Sequence, residues 1–166
     1  MSASTNMIGD QTTVITNGPA AATIAAAIAA AGPINDYVGN CKNALVAMQG
    51  IAVHAAMLAG VTASGDDSTN KGLLNGIVAL FKGTASPSTQ ATTDLKTVIS
   101  NGPSTTTKAN SLAAAGPIND YVGNCYNLLS RLNALQVLLT LIKNTTDTGT
   151  DGTNKTLITN MITGLA

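Results

Sequence analysis

Glutamate and tryptophan are missing from this 166-residue sequence, and histidine and phenylalanine occur once each, as His54 and Phe81. These absences exclude several chemistries at once. Zinc and di-iron sites in helical proteins need His pairs, Glu-x-x-His or Cys-x-x-Cys at helical spacing, and the sequence offers two isolated cysteines, Cys41 and Cys125, and none of those patterns. Neither a metal nor a cofactor is expected. Charge is equally sparse: eight Lys and Arg balance eight Asp, 10 % of the chain, against about 25 % in ordinary soluble domains. Scattered cations make no basic stripe, and 2 % aromatic content leaves little to stack on bases, so nucleic acid is not an expected partner. With no net charge, a Thr, Ser and Asn surface lacks the repulsion that keeps monomers apart. Protein partners are expected instead, either further copies or a larger lattice.

Long uninterrupted apolar runs are also lacking. The stretch from Ala44 to Ala63 has the length of a membrane span but is broken by Gln49 and His54. Its counterpart carries Arg131, Asn133, Gln136 and Lys143, and no aromatic belt brackets either one. Membrane insertion is not expected. The N-terminus has no cation ahead of an apolar run and does not read as a secretory signal.

What the sequence does have is a duplication. The segment from Ala29 to Cys41 recurs letter for letter from Ala113 to Cys125, 84 positions on. The register holds elsewhere: Asp10 matches Asp94, Asn17-Gly18-Pro19 matches Asn101-Gly102-Pro103, and Thr69-Asn70-Lys71 matches Thr153-Asn154-Lys155. A fixed period of this kind makes each repeat one structural unit. The 45 % hydrophobic content, mostly Ala, Leu, Ile and Val, favours helices. The expected fold is all-α, two tandem repeats of ~84 residues packed as one pseudo-two-fold helical bundle. The first spans 1–83 with a loose arm at 1–9, the second 84–166 after a linker at about 83–91, and they share one core.

Within each repeat, punctuation sets the elements. A short helix from Asp10 to Thr16 is stopped by Asn17-Gly18-Pro19. An Ala-rich helix runs from Ala20 to Ala31, and its counterpart from Ser104 to Ala115 is far more polar, which predicts different surroundings for the two. Gly32-Pro33 and Gly116-Pro117 then separate it from the longest helix, Pro33 to Ala63 or Pro117 to Thr145. Ile34, Tyr37, Val38, Cys41, Leu45, Met48, Ala52, Ala55, Met57 and Leu58 form its expected inner stripe. Last helices follow at Thr69 to Lys82 and Thr153 to Leu165, with Thr or Asn as caps.

Candidate sites concentrate in the repeated stretch. Asp36 and Asp120 fall in the first turn of their helices, where a carboxylate is favoured. A helix-interior Gly costs about 1 kcal/mol relative to Ala, so Gly39 and Gly123 predict a close helix crossing, with Cys41 and Cys125 packed nearby. Tyr37 and Tyr121 complete this interaction set. As a catalytic group it is poor, because no base stands by either thiol; no catalytic residue is assigned and no enzyme is expected. The loops containing Asp66, Asp67 and Asn70, and Asp147, Asp151 and Asn154, offer oxygen ligands but lack the Ca²⁺-loop pattern. Three readings of function follow. The first is a non-enzymatic assembly protein, such as a minor, cementing or decorating component of a virus particle or other lattice. The second is a small apolar-ligand carrier with a slot lined by Met48, Met57, Tyr37 and Tyr121, and the third is an enzyme using the Asp/Tyr/Cys stretch.

Overall fold

A computed structural model of the chain describes residues 2–30, 36–114 and 119–166. Eight α-helices occur among them: α1 (Met7–Asn17), α2 (Ala21–Ala29), α3 (Tyr37–Val61), α4 (Ser68–Lys82), α5 (Ala91–Asn101), α6 (Thr105–Ala113), α7 (Tyr121–Thr145) and α8 (Gly152–Leu165). Each of the last four starts 84 positions after its counterpart among the first four. The fold is all-α. The Gly-Pro boundaries at 32–33 and 116–117, and Ile34 of the expected stripe, lie outside the described residues.

The long helices α3 and α7 lie side by side and antiparallel, the end of each beside the start of the other. Helices α1, α4, α5 and α8 pack together against one side of this pair, while α2 and α6 sit at its ends with lighter contact. The buried set on α3 is Tyr37, Cys41, Ala44, Met48, Ile51, Ala52, Ala55 and Leu58, and on α7 it is Tyr121, Cys125, Leu128, Leu132, Leu135, Leu139 and Ile142. Phe81, Leu74, Ile77, Ile158 and Met161 close the core from the other layer. The buried Ala44, Ala52 and Ala55 of α3 are smaller than the buried Leu and Ile of α7, and the interior holds few aromatic rings.

Three sequence expectations are corrected here. Val38 and Met57 were expected in the inner stripe but are exposed. In this Ala-rich helix only Lys42, Asn43 and Gln49 mark the outer side, none past its midpoint, so the apolar period is blurred. The segment 1–9 is not a loose arm over its described part: Asn6 caps α1, Met7 is fully buried, and Ser4 N–H donates to the Asn160 carbonyl of α8 at 2.9 Å. The linker uses the same device, Ser88 N–H donating to the Gly76 carbonyl of α4 at 2.8 Å. Finally, the last helices are not capped by Thr or Asn. Asp67 and Asp151 stand at their N-caps without a side-chain cap bond.

Because α8 receives α1 as α4 receives α5, the chain's ends meet as the repeats do. A circular permutant that joins Ala166 to Met1 through Gly-Thr, copying Gly83-Thr84, and opens between those two residues is expected to keep the native helicity and cooperative melting. Circular dichroism on thermal unfolding checks this; a molten permutant counts against the shared packing.

Candidate functional site

The repeated stretch opens α3 and α7. Asp36 precedes α3 with extended backbone and its Oδ1 accepts the Gly39 N–H at 3.0 Å; Asp120 does the same for Gly123 at 3.1 Å. Each carboxylate thus satisfies one of the helix's free N–H groups and sits at the positive end of its dipole. The expected helix crossing at Gly39 and Gly123 gives way to a local cause. A Cβ at either glycine would fall on the Oδ2 of its own capping aspartate. The glycine leaves room for the cap, and Asn6 with Gly9 on α1 repeats the arrangement.

Tyr37 and Tyr121 do meet the other half of the chain. Thr62, just past α3, hydrogen-bonds with the Tyr121 hydroxyl at 3.1 Å; Thr146, just past α7, hydrogen-bonds with that of Tyr37 at the same distance. Each threonine also donates to a carbonyl of its own helix, Leu58 or Ile142, at 2.7 Å. A hydroxyl has one proton, so the phenol is the donor in each Tyr–Thr bond. Both ends of the antiparallel pair are therefore fastened by the same contact.

Further polar contacts repeat this reciprocity. The Asp67 carboxylate accepts Ser104 N–H, and Asp151 accepts Ala20 N–H, both at 2.8 Å. Thr107 Oγ1 accepts Ala63 N–H at 2.9 Å; Thr23 Oγ1 accepts Asp147 N–H at 2.8 Å. Asn70 donates to the Gly102 carbonyl and accepts from Asn101, while Asn154 donates to the Gly18 carbonyl and accepts from Asn17. The side chains making these bridges, Thr23, Thr62, Asp67 and Asn70 with their counterparts, are identical at the 84-residue spacing. In the sequence Thr23 and Thr62 fall inside helices, and Asp67 and Asn70 stand with a polar loop, without sign of this role, although the identity of scattered polar positions was a readable signal. The loop acids are thus engaged in holding backbone, and among the described residues no three His, Cys or Asp side chains converge as a metal site.

Cys41 and Cys125 are buried free thiols. Burial pushes the first up to about 11 and the second to about 12, the reverse of an activated nucleophile. Burial likewise raises Tyr37 and Tyr121 to about 12. The duplication is incomplete at several buried polar groups, Gln11 and His54 among them. Gln11, whose counterpart is Leu95, donates to the Cys41 carbonyl at 2.9 Å. His54, whose counterpart is Leu138, lies 3.2 Å from Asn124 through Nε2, and burial followed by the charge of Arg131 lowers its pKa.

The carrier slot expected from the sequence does not bring its residues together. Met48 lies in the core, and Tyr37 and Tyr121 face opposite ends of the pair. Met57 instead lines an open groove of about 860 Å³ along the α3–α7 seam, with Val46, Gly50, Val53, His54 and Arg131 among its walls. Compared with protein-family models, curated proteins and solved structures, the chain matches none.

Two predictions follow from this geometry. Asp36→Ala should cost about 1 kcal/mol. Gly39→Ala should bring no net gain beside Asp36 yet stabilise the Asp36→Ala background by up to about 1 kcal/mol, measured by urea unfolding; additive effects would mean the glycine is not making room for the cap. The second concerns pH. The folded state holds phenol and thiol protons that the unfolded chain releases from the ordinary values of 9.0 and 10.0 upward. Stability from these four groups is therefore complete below pH 9 and falls as pH rises towards 12. Denaturation midpoints across this range should show the decline, with a smaller slope in Tyr37→Phe/Tyr121→Phe.

Proposed function

We propose that the protein is a non-enzymatic assembly component, one that works by presenting apolar helix surface to neighbours in a larger structure, a virus particle being one lattice of that kind. The observation that carries this is α2. Only Thr23 and Ala27 of its nine residues are buried; the rest, all Ala and Ile, face outward, with Ile28 68 % exposed. Its counterpart α6 occupies the equivalent place and carries Thr105, Thr106, Lys108 and Asn110; Leu112, opposite Ile28, is the one large apolar residue it exposes, and Lys108 stands where α2 has Ile24. Solvent alone would favour polar side chains at both ends of the molecule. Ile and Ala at one end are the residues of a covered surface, since burying an Ile side chain contributes roughly 1.5–3 kcal/mol. The near absence of net charge and the firmly stapled fold support the same reading.

The test is sedimentation of the chain in lysate of its source. The native protein should run with a large assembly, and Ile24→Ser/Ile28→Ser should leave it for the 16.6 kDa position while retaining native helicity. A native chain that sediments alone contradicts the proposal.

A further inference from the structure

The outer side of the α3–α7 pair is a second bare face. Val46, Val53 and Met57 stand out from α3, and Val137 and Leu141 from α7, each between 42 % and 68 % exposed. Val46, Val53 and Met57 border the groove along the seam, and Val137 and Leu141 follow about two helical turns after Ser130 of its wall and Ala134; past Gly50 and Ala134 lies a second hollow of about 430 Å³. Residues 37–65 and 121–146 contain no acid, and their cations are Lys42, Arg131 and Lys143. Arg131 lies flat enough on the seam for its Nη1 to stand 3.8 Å from a Cβ built on Gly50.

We infer that this face pairs with the same face of a second copy of the chain. The inference rests on the assembly reading and adds the occupant of a surface separate from α2. Size is the first argument. Two 25-residue helices are each about 37 Å long and about 10–12 Å across; with axes 8–10 Å apart the pair is about 20 Å wide and presents a footprint of roughly 750 Å² per copy, close to the ≈ 800 Å² a stable interface takes from each partner. Composition is the second. Interface centres are depleted in Asp, Glu and Lys and enriched in Met and Arg; the groove walls have Met57 and Arg131 among small aliphatic residues and the uncharged polar Gln49, Asn124, Asn127 and Ser130, and no acid. Shape is the third. Ridges formed by Val46–Val53–Met57 and Val137–Leu141 alternate with the seam, so that the ridge of one copy can enter the groove of the other. The pairing is isologous and closes at two chains, leaving both α2 helices free.

Sedimentation equilibrium of the purified full chain over a wide concentration range tests this. The native protein should reach a dimer of twice 16.6 kDa. Val53→Asp and Val137→Asp, each on exposed positions that the fold does not use, should weaken it at least tenfold with unchanged helicity and melting, whereas Asn75→Asp, an equal charge change on exposed α4, should not. A monomer at all concentrations overturns the inference, as does a dimer indifferent to both face variants. Recovery of the monomer on anionic phosphatidylserine vesicles through Val53 would also overturn it, by assigning the face to lipid. Loss of the dimer with persistent α2-dependent sedimentation in source lysate would leave the assembly proposal standing, and the converse result would separate the two the other way.

Discussion

A single contact made twice fastens the pair at the centre of this molecule. The tyrosine that opens each long helix donates to the threonine that closes the other, so α3 and α7 are held antiparallel at both ends. Each bond is worth about 1 kcal/mol on its own. Its larger effect is placement: with the pair fixed, the buried sides of both helices present one continuous apolar surface to α1, α4, α5 and α8. The remaining bridges, Asp67 and Asp151 to backbone N–H groups, Thr107 and Thr23 to the segments after α3 and α7, and Asn70 and Asn154 to the ends of α5 and α1, extend this reciprocity outward. Burial of unpaired polar backbone would cost 1–3 kcal/mol per group, so these bonds permit the connections to run close to the core.

Much of this was legible in the residues. The helices, their order and the glycine stops could be read from propensity and punctuation, and Gly18 and Gly102 adopt φ of +69° where the sequence has Asn-Gly-Pro. Two things were not legible. Ala and Val lie all round α3 and its few exposed polar residues, Lys42, Asn43 and Gln49, make no continuous face, so nothing distinguished Val38 and Met57 from the true core. Interactions between distant segments were also invisible: that Ser4 would find Asn160, or that Thr62 would serve Tyr121, depends on which helices become neighbours. A glycine inside a helix suggested a distant partner for Gly39, when the occupant was the carboxylate three residues before it.

The reciprocal contacts of the two halves make their differences informative. The halves have diverged on the surface, as α2 against α6, and also in the core, where Ala44, Met48, Ile51 and Ala55 stand against Leu128, Leu132, Leu135 and Leu139. The bridging residues are the same in both. Internal fastening and external presentation therefore draw on different residues, which lets one end of the molecule become apolar while the bridges stay as they are. The repeated Gly-Pro-Ile-Asn-Asp-Tyr-Val-Gly-Asn-Cys stretch belongs, over its described part, to the fastening.

The central claim is that the two halves are held by equal and reciprocal contacts. Paired double-mutant cycles measure it directly, one with Tyr37→Phe and Thr146→Val, the other with Tyr121→Phe and Thr62→Val. The account predicts the same coupling free energy in both cycles, on the order of 1 kcal/mol. Coupling in one cycle and none in the other, or none in either, would contradict it.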